Sequence, residues 1–217
     1  MKCQKHLFSL RPDEHYLNCA YKAPLLKSAE AACIEALHRE RNPMDITSAT
    51  TFAEMPLVRK YFGELIHAGA DQIAIVPSAT YGFSSILHNT PAKKNGNAVT
   101  VAGEFPSGYF ELEKWCRQNA NELIVVPPGE GPPPGNKWNE HVLDRINEHT
   151  SVVLLSSVHY LNGIKFDLES IGNKCRTVGA KLLVDGTQSV GAMHMDIEQY
   201  KIDALVCAGY KLSLIHI

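Results

Sequence analysis

Two stretches of this chain each end an apolar run in a group that can do chemistry. Lys181-Leu-Leu-Val-Asp-Gly-Thr-Gln-Ser-Val-Gly191 runs through short apolar residues into Asp185 and then into a small, polar turn. Asp203-Ala-Leu-Val-Cys-Ala-Gly-Tyr-Lys211 is a second apolar run, closing on a lysine. Singly, each has an ordinary explanation. A strand-end acid caps a helix or closes a turn, and a lysine after a strand is usually solvated, because lysine is rarely buried without a partner. Together, an acid and an amine at the ends of two nearby strands are what an aldehyde cofactor with a basic ring nitrogen requires.

The elements that must position these groups alternate in type. Ile73–Val76, Ala98–Val101, Leu123–Val126, Val152–Leu155, Lys181–Val184 and Ala204–Cys207 read as buried strands, being short, rich in Val, Ile and Leu, and bounded by turn formers. Tyr81–Leu87, Gly108–Gln118, Glu140–Asn147 and Leu168–Val178 read as helices between them. Ser28–Arg41 and Met55–Gly69 are amphipathic helices ahead of the first strand. Strand–helix repetition at this pitch predicts an α/β, three-layer sandwich with a mostly parallel sheet. Chemistry is then expected beyond the carboxyl ends of the strands, where such sheets open a crevice. Gly129–Gly135, with three prolines in a row, reads as an exposed loop.

Composition removes several functions. The 217 residues are 45% hydrophobic and 20% charged, as in an ordinary globular protein. A net charge of −2 offers no basic footprint for nucleic acid or anionic lipid. The six cysteines include no C-x-x-C pair or zinc-like His/Cys spacing, so reduced thiols and no metal are expected. No apolar run is long enough for a membrane span, and the first twelve residues lack a secretion core, which points to the cytoplasm. No G-x-G-x-x-G or G-x-x-x-x-G-K-[ST] run follows a strand, against a nucleotide-binding domain.

Gly186-Thr-Gln after Asp185, followed by Ala208-Gly-Tyr-Lys211, resembles the class V aminotransferase family of pyridoxal-phosphate (PLP) enzymes. The likeness extends upstream, in family order, through His15-Tyr-Leu-Asn-Cys-Ala-Tyr21, Pro77-Ser-Ala-Thr-Tyr-Gly82, Glu104-Phe-Pro-Ser107 and Ser156-Ser-Val-His-Tyr-Leu-Asn-Gly163. Aminotransferases, cysteine desulfurases, kynureninases and related lyases and epimerases belong to it. The resemblance implies the fold type I large domain and PLP as cofactor. It also implies an amino-acid substrate and a homodimer. Lys211 would bond the PLP aldehyde and shuttle protons at the substrate α-carbon. Asp185 would keep the ring nitrogen protonated, so that the ring accepts the electron pair of a breaking bond. Gln188 would sit near the ring hydroxyl, with His159 or Tyr160 near that hydroxyl or the substrate. The Thr80 hydroxyl and the amides of Thr80 and Tyr81 would hold the phosphate at a helix N-terminus. Phe105 would stack on the ring, and Asn18 and Tyr21 would reach toward the substrate carboxylate. Phe105, Thr80 and His159 also have plain readings, as core, helix cap and satisfied histidine.

Three departures narrow these expectations. Phe105 and Tyr210 stand where desulfurases usually have histidines, and phenylalanine stacks but transfers no proton. The Phe-Pro-Ser and Tyr-Lys pairings look closer to the kynureninase-like and epimerase-like branches. Ala208 lacks the hydroxyl many relatives offer the phosphate, a weaker grip unless Tyr210 or a partner chain compensates. Finally, family members continue well beyond the lysine, whereas Leu212-Ser-Leu-Ile-His-Ile217 matches the translation of a common sequencing adapter. Residues 1–70 are therefore expected to form an N-terminal segment, 71–211 a partial PLP-binding domain incomplete at its C-terminus, and 212–217 a non-native tail. Such a fragment should expose apolar surface, aggregate, and be inactive alone. The expected function is an aminotransferase-like or lyase-like PLP enzyme. Kynureninase-type hydrolysis stands behind it, with desulfuration last. An alternative of another class is a non-catalytic PLP-fold protein used for binding or assembly.

Overall fold

A computed structural model describes residues 3–129 and 134–212. Its centre is a five-stranded sheet of β1 (Asn97–Val101), β2 (Glu122–Val126), β3 (Thr150–Ser156), β4 (Lys181–Asp185) and β5 (Ala204–Val206), in the order β2-β1-β3-β4-β5. Every pairing is parallel. Seven helices accompany it among the described residues: α1 (Lys27–Arg39), α2 (Ser48–Phe52), α3 (Glu54–Ile66), α4 (Ala79–His88), α5 (Pro106–Gln118), α6 (Pro134–Arg145) and α7 (Leu168–Val178). None is long and apolar enough to cross a membrane.

Strand alternation divides the core into two layers. Val99, Val101, Val153, Leu155, Leu182 and Val184 face Trp138 and Val142 of α6 and Ile171 and Cys175 of α7. Ala98, Val152, Leu154, Leu183 and Val206 face Phe83 and Leu87 of α4 and Leu112 and Trp115 of α5. Both faces of the central strands are buried, which explains their near-continuous apolar runs. Connection handedness explains which helix goes where. The β1-to-β2 crossover runs one way along the sheet, and the β2-to-β3 and β3-to-β4 crossovers run the other. Right-handed connections then place α5 on one face and α6 and α7 on the opposite one. The reversal leaves a crevice at the carboxyl ends of β1 and β3.

Local chemistry sets the helix ends. Asp167 Oδ1 accepts the Ser170 amide at 3.1 Å to start α7, and Gly179 ends it with a left-handed φ of 68°. Pro106 opens α5, where a missing N–H costs nothing. Gly172, within α7, faces the carbonyl oxygen of Tyr200, into which a Cβ would run. Glycine to alanine inside a helix ordinarily stabilises by about 1 kcal/mol. Here backbone blocks the space, so Gly172→Ala is expected to destabilise by about 1–3 kcal/mol. Urea unfolding decides the sign.

Two sequence expectations change. Ile73–Val76 is extended coil rather than a buried strand, pairing with no strand among the described residues, and Ile75 and Val76 are exposed. Apolar β-formers make a strand only where a neighbouring edge takes their N–H and C=O groups. The loop expected over 129–135 gives way to α6 from Pro134; residues 130–133 lie outside the described set. So does the expected tail past Leu212.

The cysteines divide by burial. Burial pushes the Cys116 thiol up to about 11 and the Cys175 thiol up to about 12, while Cys3 and Cys33 are exposed. Raising a thiol from 9.0 to about 11 cuts its reactive thiolate near pH 8 roughly 100-fold. Iodoacetamide on the folded chain should therefore label Cys3 and Cys33 long before Cys116 and Cys175, as read by mass spectrometry.

Candidate active site

The carboxyl ends of β1, β3, β4 and β5 and the start of α4 enclose one cleft of about 320 Å3. Asp185 is the last residue of β4, and the parallel register brings Val206, the last of β5, alongside it. The chain leaving β5 carries Cys207 to Lys211 back over the cleft. Asp185 and Lys211 are both buried, 5% and 7% exposed, and both line it. Burial pushes the Asp185 carboxyl above its ordinary value; hydrogen bonds from Thr187 and the positive charge of Lys211 pull it partly back. The Thr187 amide donates to Asp185 Oδ1 at 2.9 Å, and the Thr187 hydroxyl oxygen accepts the Ala208 amide at 3.0 Å. One residue thus ties the acid-bearing turn to the lysine-bearing turn.

Phe105, Tyr160 and Gln188 also line the cleft. Phe105 and Tyr160 meet edge to face at 5.1 Å, and Lys211 Nζ lies 5.4 Å from the Phe105 ring centre. Gln188 donates to the Ala20 carbonyl at 3.1 Å, tethering the N-terminal segment. At the far end, Ser78 caps α4 by accepting the Tyr81 amide at 3.1 Å. The Tyr81 N–H is thereby used, whereas the first two amides of the helix, Ala79 and Thr80, have no acceptor within it. Thr80 lines the cleft; the Tyr81 side chain is exposed outside it.

Tyr210 borders both this cleft and a second hollow shared with Tyr21, Lys22, Phe105 and Lys211. The Ala23 amide donates to the Tyr210 carbonyl at 3.3 Å, holding that hollow against the lysine turn. Asn18 is exposed and lines neither space, though its carbonyl accepts the Tyr21 amide at 3.0 Å. His159 is buried beside Trp138, with ring centres 5.1 Å apart, and its Nε2 lies 3.2 Å from the Ala102 carbonyl. It does not line the cleft.

One residue escaped the sequence reading of roles. Glu104 is 5% exposed and braces the cleft from behind. Its carboxylate accepts the Ser156 amide at 2.6 Å, the Phe105 amide at 2.7 Å and the Ser156 hydroxyl. Burial pushes its carboxyl up, these three donors lower it, and nearby Asp185 adds a smaller upward push. Its available signal was position: an acid just beyond β1, on the same sheet edge as Asp185.

With this geometry in hand, the comparisons are specific. The Aminotransferase class-V family model matches residues 35–213. An uncharacterized aminotransferase, YcbU, of Bacillus subtilis is 25% identical over 195 residues, covering 90% of this chain and 50% of the relative. A cysteine desulfurase IscS of Pectobacterium carotovorum is 40% identical over 165 residues, covering 72% and 38%. The chain thus spans half or less of the length of these relatives. Among solved structures, a C-DES mutant with glycine covalently linked to its PLP cofactor matches with a TM-score of 0.82. The identity there is 18%, over 97% of this chain and 56% of that one, so the likeness shows the fold. A family model reaching from α1 past the buried lysine, on an α/β frame of matching architecture, makes this chain a member of the class V aminotransferase family.

Proposed function

We propose that this chain carries the cofactor site of a PLP-dependent enzyme acting on an amino acid, in an aminotransferase-like or lyase-like reaction. One observation carries the reading: a buried amine and a buried carboxylate, Lys211 and Asp185, share a cleft walled by an aromatic ring. The cleft's size falls within the range of small-ligand sites, and its residues fit the cofactor. Bound there, PLP supplies an aldehyde that captures amines and a ring that withdraws electrons. Asp185 would hold the proton on the ring nitrogen, helped by the low-dielectric surroundings that strengthen its attraction to a cation. Lys211, the one amine lining the cleft among the described residues, would take and return the proton at the substrate α-carbon. The open amides of Ala79 and Thr80, with the Thr80 hydroxyl, would hold the phosphate at the start of α4. Phe105 would cover one ring face and exclude water. Gln188, Tyr160 and Tyr210 border the same space, and Tyr21, in the adjoining hollow, would reach toward the substrate carboxylate. His159 stays outside this reading because its ring packs on Trp138.

Phe105 also orders the narrower alternatives. Kynureninase-type hydrolysis stands behind transamination or elimination, and desulfuration last, since a phenyl ring transfers no proton. The whole protein would be a cytosolic homodimer. Exposed Leu37, Phe52 and Leu57 before the sheet support a partner face, and analytical ultracentrifugation would read a dimer mass. The test of the cofactor reading is uptake of PLP by the folded chain, followed by circular dichroism. One PLP per chain with an induced visible band is expected, together with weaker uptake of pyridoxal lacking the phosphate. Uptake without any induced band would leave the cleft unassigned.

A further inference from the structure

Away from the cleft, three side chains from distant parts of the sequence converge. Possible ligand atoms of His67, His194 and Asp196 all lie within 4.8 Å of one another. The two imidazole rings meet edge to face at 5.2 Å, and His67 Nδ1 lies 2.8 Å from Asp196 Oδ2. None of the three lines the cleft.

The backbone prepares two of these groups. His67 ends α3 with a left-handed φ of 57°, where a residue with a side chain is uncommon, and the next amide, Ala68, closes onto the Gly63 carbonyl at 2.8 Å. Asp196 Oδ1 accepts the amides of Glu198 at 3.0 Å and Gln199 at 2.8 Å, which fixes the carboxylate with Oδ2 toward the histidine. Behind the cluster the Ile197 amide donates to the Ile66 carbonyl at 3.2 Å, joining the two segments at the residues next to the ligands. The His67 side chain is 53% exposed and that of Asp196 20%, so an ion and its water have access.

We propose that His67, His194 and Asp196 form a site for a divalent transition metal, with Zn2+ as its occupant and water in the fourth position. Two neutral imidazoles and a carboxylate suit Zn2+, whereas Ca2+ and Mg2+ prefer oxygen ligands. Ligands about 2.0–2.1 Å from a tetrahedral ion stand roughly 3.3 Å apart. The His67–Asp196 contact would therefore open by about half an ångström while His194 moves in, shifts within reach of exposed side chains. The metal would clamp the end of α3 to the connection between β4 and β5, the connection that also carries Gln188. Sequence spacing gave no sign of it, because residues 67 and 196 stand far apart in the chain.

The test is zinc-edge X-ray absorption on the whole 217-residue chain loaded with one equivalent of Zn2+, alongside binding titrations of His194→Ala and Asp196→Asn. The expected spectrum shows a nitrogen and oxygen shell near 2.0 Å with imidazole scattering. Each substitution is expected to weaken Zn2+ binding at least about 10-fold. A sulfur shell near 2.3 Å would place the ion on thiols and overturn the site. Unchanged Zn2+ affinity in both variants would overturn it equally, leaving His67 and Asp196 a hydrogen-bonded pair.

Discussion

Lys211→Ala is expected to abolish retention of PLP through dialysis and to lower the urea midpoint of the folded chain modestly. Lys211 is 7% exposed, and its positive charge lowers the Asp185 carboxyl, which burial pushes up. Removing one partner of a buried pair leaves the other uncompensated and destabilises the fold, and the push of Asp185 toward its neutral form limits the cost. Cofactor capture has no such offset. Among the described residues no other amine lines the cleft, so the variant has nothing there to bond an aldehyde. Absorbance of the dialysed protein reads retention, and urea unfolding reads stability. Equal retention by wild type and variant would remove Lys211 from the role argued for it.

Glu104→Ala should cost about 2–6 kcal/mol of stability. Two backbone amides, of Phe105 and Ser156, lose their acceptor, and a buried donor without a partner costs about 1–3 kcal/mol. Against a total stability of about 5–15 kcal/mol, that is a large share. The pH dependence separates charge from geometry. Burial raises the Glu104 carboxyl above its unfolded value of 4.5, so the folded chain holds this proton more tightly than the unfolded chain. Stability from that preference is fully present below about 4.5 and is lost as pH rises through the folded value. Asp185, raised from 3.8 by the same cause, works in the same direction. Glu104→Gln keeps the size and drops the charge. Its cost relative to wild type is expected to shrink as pH rises from 5 to 8 in urea unfolding. A cost that grows with pH would mean the ionised carboxylate is favoured in the fold.

Leu168–Val178 could be read from the sequence to the residue, because a cap acid, an apolar stripe and a closing glycine all agree there. The convergence of Asp185 and Lys211 was legible for a related reason. Both leave the carboxyl ends of parallel strands, and such ends open on one crevice. Ile73–Val76 was misread because composition reports a willingness to pair and says nothing of an available edge. Glu104 was passed over as a site residue because its importance lies in Ser156, far along the chain, whose donors it gathers. His159 sits in a polar, motif-like run, yet its ring turns to Trp138, an orientation that packing decides and sequence order does not.

The most direct measurement is peptide mapping after the folded chain is mixed with one equivalent of PLP and reduced with borohydride. A single phosphopyridoxyl mass on the peptide containing Lys211, absent when the chain is unfolded first, is the predicted result. Label spread over exposed lysines, with Lys211 unmodified, would contradict the assignment of the cleft.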